Sequence, residues 1–304
     1  MSVMGLTIDY GPFAFEEHFD PDFTPNGSDG GGRYTYAFQA GMCKWNMKKF
    51  AESLSPLLPL SYSSEILNQH WDETYESVYS KIMHEKLGFL SLQPGDKELI
   101  EEYFSVLAQT RTDFTDSFMA LTEYASGYTK DKEELLENLV SRAASPNELV
   151  AMLKRKMKIH RIGMQPDQIQ QIWDLIQKNP RQVTEMFGGA PLEAITAEIE
   201  GEKRNLDRQM KAAQEINRLQ NVTPKQKVTG DRIIWSNYLE KYHARLSIDW
   251  KDGTENRMKS SELMRESNPT FILRNWIAQD AIDAAEKGNY SEVNLKTVIK
   301  LIQK

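Results

Sequence analysis

From Trp45 onward, apolar residues recur at helical spacing in one segment after another, with proline or a small polar residue at the boundaries. No other feature constrains the fold as much. A 3.6-residue period gives each segment one apolar stripe, and such stripes are buried by packing helix on helix. Met47, Phe50, Leu54 and Leu57 define one face that ends before Pro59. Trp71, Tyr75, Val78 and Ile82 define a second, on a longer helix. Leu99, Tyr103 and Val106 follow Asp96, a candidate N-cap, and Phe114, Phe118 and Leu121 form the next stripe. Ser145-Pro146-Asn147-Glu148 has the form of a capping box with proline at the first helical position, opening a helix with Leu149, Met152 and Leu153 inside. Ile169, Ile172, Trp173 and Ile176 belong to another helix. Thr223-Pro224 repeats the capping pattern before Trp235, Leu239, Tyr242 and Leu246, and Asn268-Pro269 opens a last helix that Gly288 ends. We expect a mainly α protein in which these aromatic and methionine stripes are core.

Charge is distributed unevenly along this helical run. The stretch from Glu193 to Arg218 carries Glu198, Glu200, Glu202, Lys203, Arg204, Asp207, Arg208 and Lys211 on most faces, so it reads as an exposed helix or linker dividing the chain near residues 187 to 225. Lys154-Arg155-Lys156-Met157-Lys158-Ile159-His160-Arg161 is basic, but it sits on one amphipathic helix of a chain with net charge −7, without flanking aromatic platforms. It reads as a solvated face or a partner patch, and no nucleic-acid partner is expected. No run approaches the ~20 apolar residues of a membrane span, so no membrane partner is expected either. One cysteine, Cys43, excludes an internal disulfide framework and reads as a small buried hydrophobe. His70, His84 and His243 stand singly within helices, and no His/Cys pair has zinc-ligand spacing.

The N-terminal end is different. Leu6-Thr7-Ile8 reads as a short strand, and Asp9-Tyr10-Gly11-Pro12 as a sharp turn that presents Asp9. Protein kinases hold Mg²⁺ with an Asp-aromatic-Gly turn of this kind, because the metal needs a hard anionic oxygen on rigid backbone. Only eight residues precede Asp9, whereas in a kinase-like fold the phosphate-covering loop, the ATP lysine and the catalytic loop come first. Residues 10 to 45 are irregular, broken by Pro12, Pro21, Pro25 and the Gly30-Gly31-Gly32 run and anchored by Phe13, Phe15, Phe19 and Phe23. The three glycines read as a flexible loop tip. The acidic group Glu16, Glu17, His18, Asp20 and Asp22 reads as a solvated loop rather than a metal site.

Longer motifs surround these features. Met1-Ser2-Val3-Met4-Gly5-Leu6-Thr7-Ile8-Asp9-Tyr10-Gly11-Pro12-Phe13, then Phe19-Asp20-Pro21-Asp22-Phe23-Thr24-Pro25-Asn26, Gly32-Arg33-Tyr34 and Lys44-Trp45-Asn46 strongly resemble the selenoprotein O family. Those are the kinase-like protein adenylyltransferases. Asn268-Pro269-Thr270-Phe271-Ile272-Leu273-Arg274-Asn275, followed by Ala278-Gln279-Asp280-Ala281-Ile282 and Ala284-Ala285-Glu286-Lys287-Gly288, resembles the closing helix of the same family.

The resemblance implies the C-terminal lobe of a protein-kinase-like fold with an added helical extension. Residues 1–186 would be the kinase-like portion, with metal motif, activation-segment-like loop and helices, and 187–304 the extension. It implies Mg²⁺-dependent transfer of AMP from ATP to Ser, Thr or Tyr hydroxyls of proteins. Asp9 would be the metal and nucleotide ligand, and no residue of this chain is assigned as catalytic base. In the family an Asn-Thr-Asp-Asn sequence leads into the Met-Ser that begins this chain, its Asp the proposed proton acceptor and its second Asn another Mg²⁺ ligand. The family's phosphate-binding glycines, ATP lysine and paired arginines also find no match in these residues, nor does its C-terminal selenocysteine or cysteine. We therefore expect a fragment, or a reading frame begun at an internal methionine, that is inactive alone. The resemblance also implies a mitochondrial location if the source is a eukaryote, and a cytoplasmic one otherwise. The alternative expectation is a non-catalytic helical scaffold or partner-binding module.

Overall fold

The computed structural model describes residues 16–25, 29, 31–159 and 163–288. The expected strand at Leu6–Ile8, Asp9 itself, and Phe13 and Phe15 lie outside the described residues. The described residues form α1 (Gln39–Ser53), α2 (Leu60–Leu87), α3 (Asp96–Thr110), α4 (Phe114–Ser126), α5 (Lys132–Ser141), α6 (Pro146–Ile159), α7 (Pro166–Lys178), α8 (Pro180–Met186), α9 (Leu192–Leu219), α10 (Pro224–Asp249), α11 (Thr254–Ser267) and α12 (Asn275–Glu286). Short 3₁₀ turns precede α1 and follow α10. Extended pairing among the described residues is limited to two isolated antiparallel bridges, His18 with Asp113 and Thr112 with Ala143. The protein is mainly α, as the stripes require.

The chain separates into two compact units interleaved in sequence. One comprises residues 1–20, 44–144 and 225–304; the other comprises 21–43 and 145–224. The first unit is built on aromatic side chains. Tyr103 of α3 lies 5.0 Å from Phe118 of α4, and 5.5 and 6.0 Å from Tyr238 and Trp235 of α10, measured between ring centroids. Leu87, Leu107, Leu121, Leu135, Leu139, Leu246 and Met264 fill the space around them without exposure. Buried aromatics with polar tips need partners for those tips. Trp235 Nε1 donates to Thr112 Oγ1 at 3.0 Å, Tyr242 donates its hydroxyl to the Leu87 carbonyl at 2.9 Å, and the hydroxyls of Tyr103 and Ser117 bond at 2.8 Å.

Several helix ends follow the expected chemistry. The Ser145/Glu148 box forms, Ser145 N–H donating to Glu148 Oε2 at 2.8 Å and Glu148 N–H to Ser145 Oγ at 3.3 Å. Asp113 caps α4 by accepting the Asp116 N–H at 2.8 Å. At the end of α2, Gly88 takes φ +74°, where a side chain would collide with Ser260 and Met264 of α11.

Other expectations are corrected. Asp96 is not an N-cap: Gly95 holds that position, and Asp96 is buried within the first turn of α3, paired with His84 and Arg245. Asn268 does not open the last helix, which starts at Asn275; instead its amide Nδ2 donates to the Lys86 carbonyl at 2.9 Å. Tyr75, Val78 and Ile82 of α2 are exposed rather than core, as is Leu57. Cys43 is exposed too.

In the second unit, residues 193–218, read as an exposed helix or linker, are helical, but one stripe of that helix is buried. That stretch is the 28-residue helix α9, with Ile195, Ile199, Gly201, Asn205, Arg208, Ala212 and Leu219 buried. Ile169 and Ile176 of α7, Val183 of α8 and Ile195 and Ile199 of α9 form an aliphatic core, flanked by Trp173, Phe187 and Leu206. The described end of the glycine run is also tied down. Asp29 accepts the backbone N–H of Arg33 at 2.9 Å and of Tyr34 at 2.7 Å, and Gly32, at φ +59°, lies against the Arg208 guanidinium where any Cβ would overlap it. Gly32 allows close approach rather than motion.

Candidate functional site

The described chain re-enters at Glu16, seven positions after Asp9, and there it docks on the corner between α3 and α4. Phe19 N–H donates to the Thr112 carbonyl at 3.1 Å, and Phe114 N–H donates to the Glu17 carbonyl at 2.7 Å. The other edge of the corner pairs with the end of α5: Asp113 N–H donates to the Arg142 carbonyl and Ala144 N–H to the Arg111 carbonyl, each at 3.0 Å. Three short extended segments thus lie side by side in a helical protein. The backbone between α3 and α4 satisfies its hydrogen bonds by this route, since neither helix can.

Side chains lock this arrangement. The Phe19 ring is buried between Phe104 and Phe114, with centroids at 5.5 and 5.8 Å. Arg111 ends α3 in the left-handed region at φ 55°, the one non-glycine residue among the described residues with positive φ. From there its guanidinium donates to the Phe19 carbonyl at 2.9 Å and pairs with Asp20 at 3.1 Å. Arg274, just before α12, pairs with Asp113 and, at 2.8 Å, with Asp116. Asp113 thus caps α4 and holds Arg274 with one carboxylate, and its hydrogen bonds raise the Arg274 pKa further. Behind the corner, Lys227 of α10 donates to the Thr110 carbonyl at 2.8 Å and pairs with Asp231, while Thr110 and Thr112 join their hydroxyls at 2.8 Å. Burial pushes the Asp231 carboxyl up in spite of Lys227 beside it.

The acidic residues that follow Asp9 are therefore structural rather than solvated. Glu16 is buried and accepts the Asp20 N–H, Asp20 pairs with Arg111, and Asp22, in the second unit, pairs with Lys156 at 3.0 Å and Arg208 at 3.6 Å. Lys156, from the basic run, is thereby drawn to an internal partner; Lys154, Arg155 and Lys158 are exposed. Among the described residues no three His, Cys, Asp or Glu side chains converge as a cation requires. A carboxylate such as Asp9, which lies outside the described residues, is a fitting Mg²⁺ donor in kind. Among the described residues, no helix is long and apolar enough to cross a membrane.

A second polar cluster lies under a cleft of about 580 Å³ lined by Ser80, His84, Phe89, Ser91 and Leu263, among others. Arg245 of α10 pairs with Asp96 and, at 2.8 Å, with Asp249, while His84 Nε2 meets Asp96 at 2.8 Å. Burial alone would raise both aspartates, yet hydrogen bonds from Arg245, His84 and the Gln93 N–H hold Asp96 below its ordinary value, and Ser91, Arg245 and the Leu90 N–H do the same for Asp249. Every charge here is matched by a neighbour, so the cluster joins α2, α3 and α10 and offers no free group for chemistry.

The sequence reading missed Arg111, Asp113, Lys227 and Asp231. Weak signals existed: Asp113-Phe114-Thr115-Asp116 has the form of an N-cap, and Lys227/Asp231 stand at i,i+4. Arg274 lay inside a motif already singled out.

A family model described as protein adenylyltransferase SelO matches residues 1–303. The chain is 34% identical over 308 aligned positions to the mitochondrial protein adenylyltransferase SelO of Mus musculus, covering 100% of this chain and 42% of that protein. It is 32% identical to the protein of the same name in Homo sapiens, covering 100% of this chain and 43% of the relative. The chain thus spans about two-fifths of the length of the curated relatives it matches. Across all the motifs from Met1 to Gly288, this chain belongs to the protein adenylyltransferase SelO family.

Proposed function

We propose that this chain is part of a protein adenylyltransferase that uses ATP to place AMP on Ser, Thr or Tyr hydroxyls of other proteins. The observation that carries the reading is the family match across residues 1–303. In the reaction a protein hydroxyl oxygen attacks the α-phosphorus of ATP in line, a phosphodiester forms, pyrophosphate leaves with its electron pair, and the hydroxyl proton passes to a base. Mg²⁺, when bound, offsets the phosphate charge. Asp9 is its ligand and the nucleotide contact; we assign no base within this chain. The fold that accompanies this reading is the C-terminal lobe of a kinase-like domain over residues 1–186 with a helical extension over 187–304. Relatives named as mitochondrial support a mitochondrial location if the source is a eukaryote.

Residues 1–304 alone do not complete this site, because the family's phosphate-binding glycines, ATP lysine and proton acceptor have no counterpart among them. The test uses labelled ATP and a generic protein substrate. The protein expressed from its complete reading frame should transfer AMP, Asp9→Ala should lose transfer by a hundredfold or more, consistent with roughly several kcal/mol of charge stabilisation, and the 304-residue chain should transfer none. Near-normal transfer by Asp9→Ala would return Asp9 to an ordinary turn residue. An inactive complete protein with an intact fold would favour the helical scaffold.

A further inference from the structure

We propose that the uncovered stripe of α2 is an interface between two copies of this chain, packed antiparallel about a two-fold axis at Trp71. The inference does not rest on the adenylyltransferase reading. Of α2, only Met83, His84 and Leu87 are buried, so residues 60–82 form an arm of about six turns with no buried residue. Helices draw most of their stability from packing an apolar face, and such an arm is marginal in water without a partner. Its faces are sorted by charge. At about 100° per residue, the side of the helix centred on Trp71 carries no charged residue between Leu60 and Ile82, while Glu65, Glu73 and Glu76 turn away from it. Leu60, Tyr75, Val78 and Ile82 on that side are exposed, and Leu67 and Trp71 are half-buried.

The occupant follows from the symmetry of the stripe. Leu67 and Tyr75 stand four positions from Trp71 on either side, Ser64 and Val78 seven, and Leu60 and Ile82 eleven. A two-fold contact requires such a pattern, because residue i of one copy meets residue j of the other and j meets i. An interface with a different protein carries no such requirement. Turned antiparallel about Trp71, a second α2 sets Leu67 opposite Tyr75, Ser64 opposite Val78 and Leu60 opposite Ile82, with the two Trp71 indoles meeting on the axis. Charge agrees with this pairing. It sets Asp72 opposite His70, and Glu65, Glu73 and Glu76 opposite Ser77, Gln69 and Ile66, so no carboxylate of the arm faces another. Asp72 holds Lys44 at 2.8 Å within its own copy and is still exposed. The contact would run about 33 Å along the helix, with one helix from each copy. That lies at the small end of stable interfaces, so the dimer should be weak, half formed at a concentration on the order of tens of micromolar.

Sedimentation velocity across the micromolar range tests this, on the 304-residue chain and on the complete protein. Both should pass from monomer to dimer as concentration rises. Trp71→Glu sets two carboxylates together on the axis and should raise the dimer dissociation constant about a hundredfold or more, with helix content by circular dichroism unchanged. Leu67→Glu should raise it about tenfold or more. Leu67→Glu combined with Tyr75→Lys should recover most of that loss, because the antiparallel register pairs the two new charges between copies while within one helix they stand eight positions apart. Glu73→Lys, on the charged face, should leave the constant unchanged within about threefold. A chain that stays monomeric throughout overturns the proposal. A dimer that survives Trp71→Glu with unchanged affinity places the interface elsewhere and overturns it too. A double variant no better than Leu67→Glu overturns the antiparallel register. A monomeric complete protein gives the stripe to the rest of its own chain and overturns the second copy as its occupant. None of these outcomes depends on whether the protein transfers AMP.

Discussion

Helices α2 and α10, 28 and 26 residues long, both carry aromatic stripes at helical spacing in the same unit, yet their stripes have opposite fates. In α10, Trp235, Tyr238, Tyr242 and Leu246 are fully buried. In α2, Tyr75, Val78 and Ile82 are 40%, 51% and 45% exposed, and burial begins only at Met83, His84 and Leu87. Spacing creates a face in both. What differs is the supply of partners. The α10 stripe meets Tyr103 of α3 through Trp235 and Tyr238, and Phe89 at 6.0 Å through Tyr242. Its polar residues are tied as well, Lys227 to Thr110 at one end and Arg245 to Asp96 at the other. In α2 the aromatic rings partly serve each other: Tyr75 and Tyr79 stack one turn apart at 5.9 Å, and burial first, then neighbouring Tyr75, Glu101 and Glu76, pushes the Tyr79 phenol up to about 12. A stripe is therefore a request for a partner, and the rest of the chain decides whether it is met.

The largest effect expected from this contrast is in α10. Trp235→Ala should cost about 3–5 kcal/mol, as large-to-small changes in a packed core do, and it also removes the Nε1 hydrogen bond to Thr112 at the α3–α4 corner. The urea midpoint should fall steeply at little change in slope. A cost below about 1 kcal/mol would show that the α10 stripe is no better packed than that of α2.

Next comes the ionic end of the same helix. Arg245→Met leaves Asp96 and Asp249 buried without their cation and should cost about 3 kcal/mol. Raising acidity should compound this in the parent protein, because both carboxylates are held below their ordinary value: their contribution is present above the unfolded pKa and is lost as pH falls through the depressed folded values. Thermal melts of parent and variant as a function of pH measure both effects.

A smaller effect belongs to His243, on the buried face of α10. Burial, helped by Lys132, lowers its pKa to about 4. The unfolded chain then binds a proton that the folded chain refuses, so stability is full above about pH 6.5 and declines as pH falls toward 4. His243→Gln should flatten that part of the profile, which lies above the window of the aspartates. An unchanged slope between pH 6.5 and 4 would break the assignment.

The smallest effect should come from α2. Tyr75→Ser and Val78→Ser should each change stability by no more than about 0.5 kcal/mol. Together they should reduce any self-association seen by sedimentation, since exposed apolar surface is what drives it. A loss of 2 kcal/mol or more in either would mean that the α2 stripe is covered in solution.

How much of this was legible beforehand differs by residue. The stripes of α3, α4, α7 and α10, the Ser145 box and the start of α10 at Pro224 were all readable, because each depends on neighbours within one or two turns. The burial of α9 was not, although Ile195, Ile199, Ala212 and Leu219 do recur near helical spacing. Its charges masked the stripe, and Arg208 goes inward to meet Asp22 and the Gly31 and Gly32 carbonyls, partners about 180 positions earlier. The reading of Gly32 as part of a flexible loop tip failed for the same reason: a glycine needed for close approach and one needed for motion look alike until the approaching group is known. Of the candidate site, Asp9 and the motif around it were visible at once, whereas the corner that holds residues 16–20 was not.

What the amino-acid sequence determined by itself is whatever short-range chemistry decides: which segments are helical, which residues share a face, where caps stand, and, through long motifs at both ends, which family the chain belongs to. What only the tertiary structure decided is pairing across distance. Arg111 with Phe19 and Asp20, Arg274 with Asp113, and Arg245 with Asp96 join groups about 90 to 160 residues apart, and the exposure of α2 against the burial of α10 likewise depends on distant partners. A helical period specifies the direction in which a side chain leaves its own axis. Nothing in that period specifies what stands opposite, because a long-range contact gains its energy from two segments at once and each sequence segment records only its own half.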